Sequence, residues 1–323
     1  MHGCGRRYTR LCSGHIRYLA MCAQPPLDSV NHGWVTGDLN PAVDAVAALP
    51  IDATAAIDAV GHTALGVARA RAAESARADA LFDDPYAAFF DPGGFAAAER
   101  AAQPRDRAAV LRMYNWIVAR TTFLDELMLS ADVRQIVILG AGLDTRSLRL
   151  PLPADAVVYE LDRQQLFDYK EPIVATAPIK PTSQATRRAV VADLTEDWRK
   201  KLRDSGFDPA QPTLWVAEGL LVYLDAPVAQ AVLAGIDDLS APGSTAAFTI
   251  RNRDGAGSFG AEPSYADVRQ LWRSAVDVNG EMTRRGWSAA VVEAGDVLRA
   301  HGRSGAAAEV DAVLPPQLLT VRR

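Results

Sequence analysis

The sequence predicts an α/β fold: a doubly wound, mostly parallel sheet of seven strands, preceded by added N-terminal helices. Three observations predict it. Short apolar runs alternate with helical patterns from residue 136 onward, as parallel strands joined by crossover helices do. The glycine turn Gly140-Ala141-Gly142 follows the first of those runs directly. Acidic residues close four successive runs, Asp144 after the first, then Asp162, Asp193 and Glu218.

The elements follow in order. Residues 1–40 read as a poorly ordered extension, and 41–323 as a single domain with a helical cap over 41–130 and the sheet-bearing core over 131–323. Arg6, Arg7 and Arg10 look like the charged start of a signal peptide, but His15 and Arg17 interrupt the apolar core such a peptide needs. Translation starting at Met21 is the alternative. A helical composition spans 53–79, softened by Gly61 and Gly66. Asp84 is placed to cap a second helix with Pro85 at its first position, and Gly93-Gly94 ends it. A long helix over 106–130 carries Ile117, Thr121, Leu124 and Met128 at helical spacing, which marks a core face. Strands are expected over 136–139, 157–161, 189–191, 213–217, 245–250, 287–292 and 318–321, with helices over 195–203, 227–239 and 295–300. Pro178 and Pro181 make 172–181 a linker-like loop. The glycine-rich stretch 251–264 reads as a mobile loop at the ligand-binding edge, followed by a helix over 265–274.

Composition excludes several classes. A chain of 323 residues with 49% hydrophobic and 23% charged residues can bury a large core. A net charge of −5 argues against a general nucleic-acid binder. No apolar run is long enough to span a bilayer, so no membrane association is expected. The only cysteines are Cys4, Cys12 and Cys22, so neither a disulfide framework nor a cysteine zinc site is expected in the body, and no metal site is predicted. Reduced, cytoplasmic life is the simplest expectation.

The turn after the first strand narrows the ligand. A dinucleotide fingerprint needs glycine or alanine three positions after Gly142, and this chain has Thr145 there with Asp144 before it. A pyrophosphate would meet a carboxylate where it needs backbone N–H groups. A cationic ligand without phosphate, such as S-adenosylmethionine, suits Gly-x-Gly-x-Asp better than NAD does. Asp162 stands about 20 residues past the turn, where an acid can accept from ribose hydroxyls. Asp144, Asp162 and Asp193 could each instead cap a following helix, and Glu218 could pair with a structural arginine. There is no Gly-x-Ser-x-Gly elbow and no phosphate loop, and His62 and His301 lack ligand spacing. Trp116, Phe123 and Trp215 read as core.

Taken together, these segments resemble the class I S-adenosylmethionine-dependent methyltransferases of the leucine carboxyl methyltransferase type, in their actinobacterial, largely uncharacterised branch. The resemblance runs from about 55 to 305. It rests on Ala70-Arg71-Ala72-Ala73-Glu74-Ser75, Asp84-Pro85-Tyr86-Ala87, Ala119-Arg120-Thr121-Thr122-Phe123, Ile138-Leu139-Gly140-Ala141-Gly142-Leu143-Asp144-Thr145-Arg146, Tyr159-Glu160-Leu161-Asp162, Val191-Ala192-Asp193-Leu194, Ala217-Glu218-Gly219-Leu220-Leu221-Val222-Tyr223-Leu224, Gly286-Trp287 and Gly302-Arg303. It implies a Rossmann-like methyltransferase sheet with S-adenosylmethionine as cofactor. It further implies Gly140 and Gly142 under the cofactor, Asp144 among the cofactor-binding residues, and Asp162 on its ribose. Asp193 and Leu194 would border its adenine, Arg120 with help from Arg71 would hold its carboxylate, and Glu218 would lie near its ammonium or methyl. The family often has Asp-Gln-Pro after the second strand, where this chain has Asp162-Arg163-Gln164.

The expected activity is O-methylation of a carboxylate or hydroxyl on a small molecule or peptide. A carboxylate is already ionised; a hydroxyl needs a base, for which Glu218 and Tyr223 are the weak catalytic candidates. The alternatives are a nicotinamide-dependent oxidoreductase and a cofactor-binding protein without turnover. The acceptor and the oligomeric state are not legible in the sequence.

Overall fold

The computed structural model describes residues 59–90, 107–250, 273, 276–311 and 317–323. The extension at 1–40, the glycine pair Gly93-Gly94, the loop at 251–264 and nearly all of the helix expected over 265–274 lie outside them.

Seven strands form one sheet: β1 (Gln135–Leu139), β2 (Val157–Asp162), β3 (Thr186–Val191), β4 (Thr213–Ala217), β5 (Thr245–Ile250), β6 (Ser288–Glu293) and β7 (Gln317–Arg322). Their spatial order is β3-β2-β1-β4-β5-β7-β6. Strands β1 to β5 pair in parallel, and β7 runs antiparallel to both β5 and β6. The order reverses between β1 and β4, which opens a crevice beyond their carboxyl ends. Strands β1 and β4 are buried at every position, because helices cover both faces.

Alternation along β1 divides two cores. Val137 and Leu139 face a core shared with Tyr159, Trp215 and Phe248 and closed by α6 (Trp198–Asp204), α7 (Ala226–Asp238) and α8 (Val278–Arg284). Ile136 and Ile138 face the other core, built on α3 (Arg107–Ser130), α9 (Ala294–Ala300) and α10 (Ser304–Asp311). Trp116, Phe123 and Trp215 are core residues, as expected. Helix α3 is buried all round from Asn115 to Asp125, wider than the single face its spacing predicts. It packs against the sheet on one side and the helix Ala59–Ser75, α9 and α10 on others.

A third cluster ties α1 (Ala59–Ser75) and α2 (Ala87–Phe90) to the region after β1. Leu65 and Ala68 of α1 meet Tyr86, Phe90, Leu143, Leu148 of α4 (Arg146–Arg149) and Tyr169 of α5 (Gln164–Thr176). Among the described residues, this cluster is what brings the added helices to the carboxyl end of the sheet.

Three local expectations are corrected. Asp84 does not cap α2 with its side chain; its backbone oxygen accepts from Ala87 N–H, while its carboxylate pairs with arginines. Residues 172–176 belong to helix α5, with Pro172 inside it. A helical proline costs about 3 kcal/mol, but burial of Leu166, Phe167 and Tyr169 returns about 1.5–3 kcal/mol for each large apolar side chain. The helix expected from Thr195 starts at Trp198, because Asp197 accepts from Lys200 N–H and caps it there. Asp193 instead accepts from Thr195 N–H and Oγ1 in a local turn.

Candidate cofactor site at the strand ends

The glycine turn is built by backbone requirements. Gly140 and Gly142 have φ of +62° and +47°, which a side chain tolerates poorly. A Cβ on Gly140 would come within 2.7 Å of Leu220 Cδ1. The Gly142 N–H donates to Asp162 Oδ2 at 2.7 Å, and Arg163 N–H donates to Oδ1 at 2.7 Å. Asp162 therefore closes β2 and fastens the turn after β1 at the same time. It does not cap α5. Burial pushes its carboxyl above the usual range, against the pull of those two N–H groups. Each oxygen retains a further lone pair.

One strand outward, Ala192 N–H donates to Asp162 O at 2.9 Å, which sets Asp193 beside Asp162. Asp193 is half-buried, and its bonds to Thr195 hold its carboxyl low. Leu194 packs against the core beneath.

The other half of the rim is a buried ion network. Glu218 Oε1 lies 2.7 Å from Arg120 Nε, and Glu218 Oε2 accepts from Arg146 Nη1 at 2.7 Å. The same Nη1 donates to Asp144 Oδ2 at 2.5 Å, and Arg146 Nε donates to Asp125 Oδ1 at 2.7 Å. Asp125 also receives a two-armed contact from Arg149, at 2.7 and 2.8 Å. Arg149 and Arg71 flank Asp84, at 3.7 and 2.9 Å. Four guanidiniums and four carboxylates thus alternate from α3 to α1 with no net charge. Asp144 also accepts Arg146 N–H at 2.7 Å, but it is not the cap of α4: Thr145 holds that position, without a side-chain bond.

Burial alone would raise the Asp144 and Glu218 carboxyls. For Asp144 the Arg146 and Arg71 guanidiniums outweigh it and hold the group at about 2. For Glu218, Arg146 and Arg120 hold it below the ordinary range. A carboxylate held below its ordinary range, with both oxygens engaged by guanidiniums, takes up a proton weakly, so Glu218 is a poor base. The terminal nitrogens of Arg120 lie 3.7 and 3.9 Å from where a side chain on Gly219 would begin. That glycine has φ of +60° and donates its N–H to Thr249 Oγ1 at 2.6 Å. Arg71 donates Nη2 to Leu143 O at 2.6 Å, so it braces the backbone beyond the glycine turn. Tyr223 Oη contacts Thr63 Oγ1 of α1 at 3.4 Å. Among the described residues, no group of three or more His, Cys, Asp or Glu is placed to hold a metal ion, and no helix is long and apolar enough to cross a membrane.

The structure gathers Arg120, Asp144 and Glu218 around one arginine, joins Gly142 to Asp162, and sets Asp193 beside it. Sequence reasoning missed Arg146, Asp125 and Arg149 as site residues. The signal was a charged residue on an apolar helix, Asp125 after Leu124, facing two arginines spaced three apart.

A parallel sheet reversing at β1 and β4, with β7 inserted antiparallel and a glycine turn fastened to the acid after β2, defines a Rossmann-like fold of the seven-stranded methyltransferase class. Within that class, the chain belongs to the leucine carboxyl methyltransferase family, whose model matches residues 64–237. A Mycobacterium tuberculosis relative, provisionally named as an S-adenosyl-L-methionine-dependent methyltransferase, is 34% identical over 307 residues, covering 84% of this chain and 97% of that one. A Mycolicibacterium smegmatis relative of the same provisional name is 45% identical over 195 residues, covering 57% of this chain and 65% of that one. A solved DUF574 family protein from Streptomyces avermitilis aligns with a TM-score of 0.46 at 14% identity, covering 69% of this chain and 92% of that one.

Proposed function

We propose that this protein uses S-adenosylmethionine to methylate an oxygen, that of a carboxylate or hydroxyl on a small molecule or peptide. The observation that carries the cofactor assignment is the pair of ionised acids, Asp144 and Glu218, beside a glycine turn that lacks a third glycine. The network is neutral overall, but at the turn itself a pyrophosphate would meet the Asp144 carboxylate and find the Gly142 N–H already given to Asp162, whereas a cofactor without phosphate makes no such demand. Bound there, the cofactor would supply a methyl carbon activated by the adjoining sulfonium.

The residues present fit that group. Asp162 has lone pairs left to accept from ribose hydroxyls. Asp193 would accept from the adenine amino group, with Leu194 under the ring. Gly140 and Gly142 would let the backbone approach closely. Glu218 would face the ammonium, and the outer nitrogens of Arg120 would meet the carboxylate, for which a planar fork is suited. Arg71 would help by holding Leu143 in place. The chain's contribution to rate is then alignment and exclusion of water, and alignment alone can supply about 7–11 kcal/mol. Because Glu218 is held ionised by two guanidiniums, it is assigned to binding and not to base catalysis. Tyr223 remains the weak candidate base for a hydroxyl acceptor. The proposed setting is the cytoplasm, since no cysteine lies beyond Cys22.

Calorimetry with S-adenosylhomocysteine and with NAD tests the cofactor. Binding of the first and not the second is expected; the reverse would overturn the assignment. Cell extract incubated with enzyme and isotopically labelled S-adenosylmethionine should yield an O-methylated product, and labelling only on nitrogen or carbon would refute the oxygen acceptor.

A further inference from the structure

Arg146 occupies a place that the proposed cofactor contacts do not explain. Its guanidinium is fully buried, yet it follows the glycine turn immediately and reaches the ends of both β1 and β4. One nitrogen, Nη1, serves Asp144 at 2.5 Å and Glu218 at 2.7 Å. Those two oxygens therefore lie no more than about 5 Å apart, the sum of two hydrogen-bond lengths. Two buried carboxylates that close cannot both stay ionised without a cation between them; one takes up a proton. Arg120, which also lies over the Trp116 ring, pairs with Glu218 and not with Asp144, and it does so from the opposite oxygen. Asp144 otherwise feels Arg71 and Lys170 from farther off. Lys170 is itself bound to Glu160 at 2.7 Å, and Arg71 to Asp84 at 2.9 Å. On its far side Arg146 is held by Asp125, which Arg149 grips in turn.

We propose that Arg146 is the positioning residue of the cofactor site: wedged between Asp144 and Glu218, it keeps both carboxylates charged and fixes Glu218 toward the cofactor's ammonium. It acts through these acids and touches no substrate. This inference rests on the proposed use of S-adenosylmethionine. The network fixes the remaining freedom. Asp125 and Arg149 hold the guanidinium from behind, so Glu218 is presented at a set position relative to the glycine turn.

The test compares wild-type chain with R146K and with the double variant R146Q/D125N. The double variant removes one charge of each sign and leaves the network neutral, so it is the arginine-free version best placed to fold. Titration of S-adenosylhomocysteine at several pH values between about 6 and 8 should show a shallow dependence for wild type. In the double variant affinity should fall about a hundredfold at the acid end and recover as pH rises, since Asp144 and Glu218 there share a proton. Asp162 is common to both proteins, so the difference between the profiles reports on Arg146. R146K keeps a charge but not the fork, and should lose about tenfold. An S-adenosylhomocysteine analogue lacking the α-amino group should bind wild type and R146K alike, which a general loosening of the fold would not produce. A variant with wild-type affinity and pH slope, or an analogue that loses as much as the parent ligand, overturns the inference.

Carbon-13 carboxyl resonances of the unliganded protein separate this inference from the reading it rests on. In wild type the Asp144 and Glu218 signals should show no titration near neutrality; in the double variant one should titrate there. If neither does, Arg146 does not hold the charges, whatever the cofactor. If one does while wild type ignores S-adenosylhomocysteine, the charge-holding role stands and the cofactor assignment falls.

Discussion

The two halves of the strand-end rim hold their acids in opposite ways. At β1 and β4, Asp144 and Glu218 are embedded among guanidiniums. At β2 and β3, Asp162 and Asp193 are held by short hydrogen bonds to N–H groups and a hydroxyl. The first pair is charged, nearly saturated and neutralised by its guanidiniums. The second pair keeps acceptor capacity and suits neutral donors, hydroxyl or amino groups. Burial raises both carboxyls, but guanidiniums bring Asp144 down to about 2 while the two N–H groups leave Asp162 above its ordinary range, so the kind of partner decides the direction.

The largest effect should come from breaking the guanidinium half. Glu218→Gln leaves Arg120 and Arg146 facing one carboxylate fewer, and removing one partner of a buried pair costs about 3–5 kcal/mol. Calorimetric melting should fall by roughly 10 °C, at about 2–4 °C per kcal/mol for a domain of this size. A variant as stable as wild type would mean that the two halves are energetically alike.

A smaller and different effect is expected at Asp162. Asp162→Ala should lower the melting temperature by less than Glu218→Gln does, since Gly142 N–H and Arg163 N–H lose their acceptor, while S-adenosylhomocysteine affinity drops by about tenfold to a hundredfold, from charge-assisted bonds worth roughly 1.5–3 kcal/mol each and partly replaced by water. The pH dependence sharpens the contrast. Asp162 titrates above its unfolded value of 3.8, so its buried charge costs stability above the folded pKa and that cost vanishes on acidification. Asp144 titrates at about 2 against 3.8 unfolded, so its stabilisation is complete above 3.8 and is lost as pH falls through about 2. Cofactor affinity should therefore weaken on the acid side through Asp162 first, and Asp162→Asn should flatten that limb. An acid limb that persists in Asp162→Asn would assign the titration elsewhere.

Asp193→Ala should be the mildest. The side chain is half-buried and its bonds to Thr195 are local, so affinity should drop only a few-fold, in line with about 0.5–1.5 kcal/mol for an ordinary hydrogen bond. A loss matching that of Asp162→Ala would make the proposed adenine contact as strong as the proposed ribose one.

Much of this was legible in the sequence. The alternation of apolar runs located all seven strands, and β4 and β5 begin and end where the pattern does. The glycine turn and the four acids marked the rim. What escaped were elements whose signal is not periodic. Strand β3 begins with Thr186-Arg187-Arg188, polar because it is an edge strand. Helices α4, α8 and α10 are four to eight residues long, too short to show a period. The network escaped for another reason. Arg146, Asp125 and Arg149 lie within 24 residues of one another but meet Glu218 and Asp84 from 60 to 90 residues away, and no local pattern encodes such a meeting.

Strand β7 has a consequence for the order in which the chain is assembled. It lies between β5 and β6, yet follows both in sequence. During synthesis β6 emerges with no neighbour to pair with, and β5 keeps one edge bare. Leu318, Leu319 and Val321, all fully buried in the finished sheet, arrive last and join the two. The reversed strand thus acts as a keystone: until it is set, the growing chain carries two open edges, and its completion registers that the rest of the sheet is already in hand.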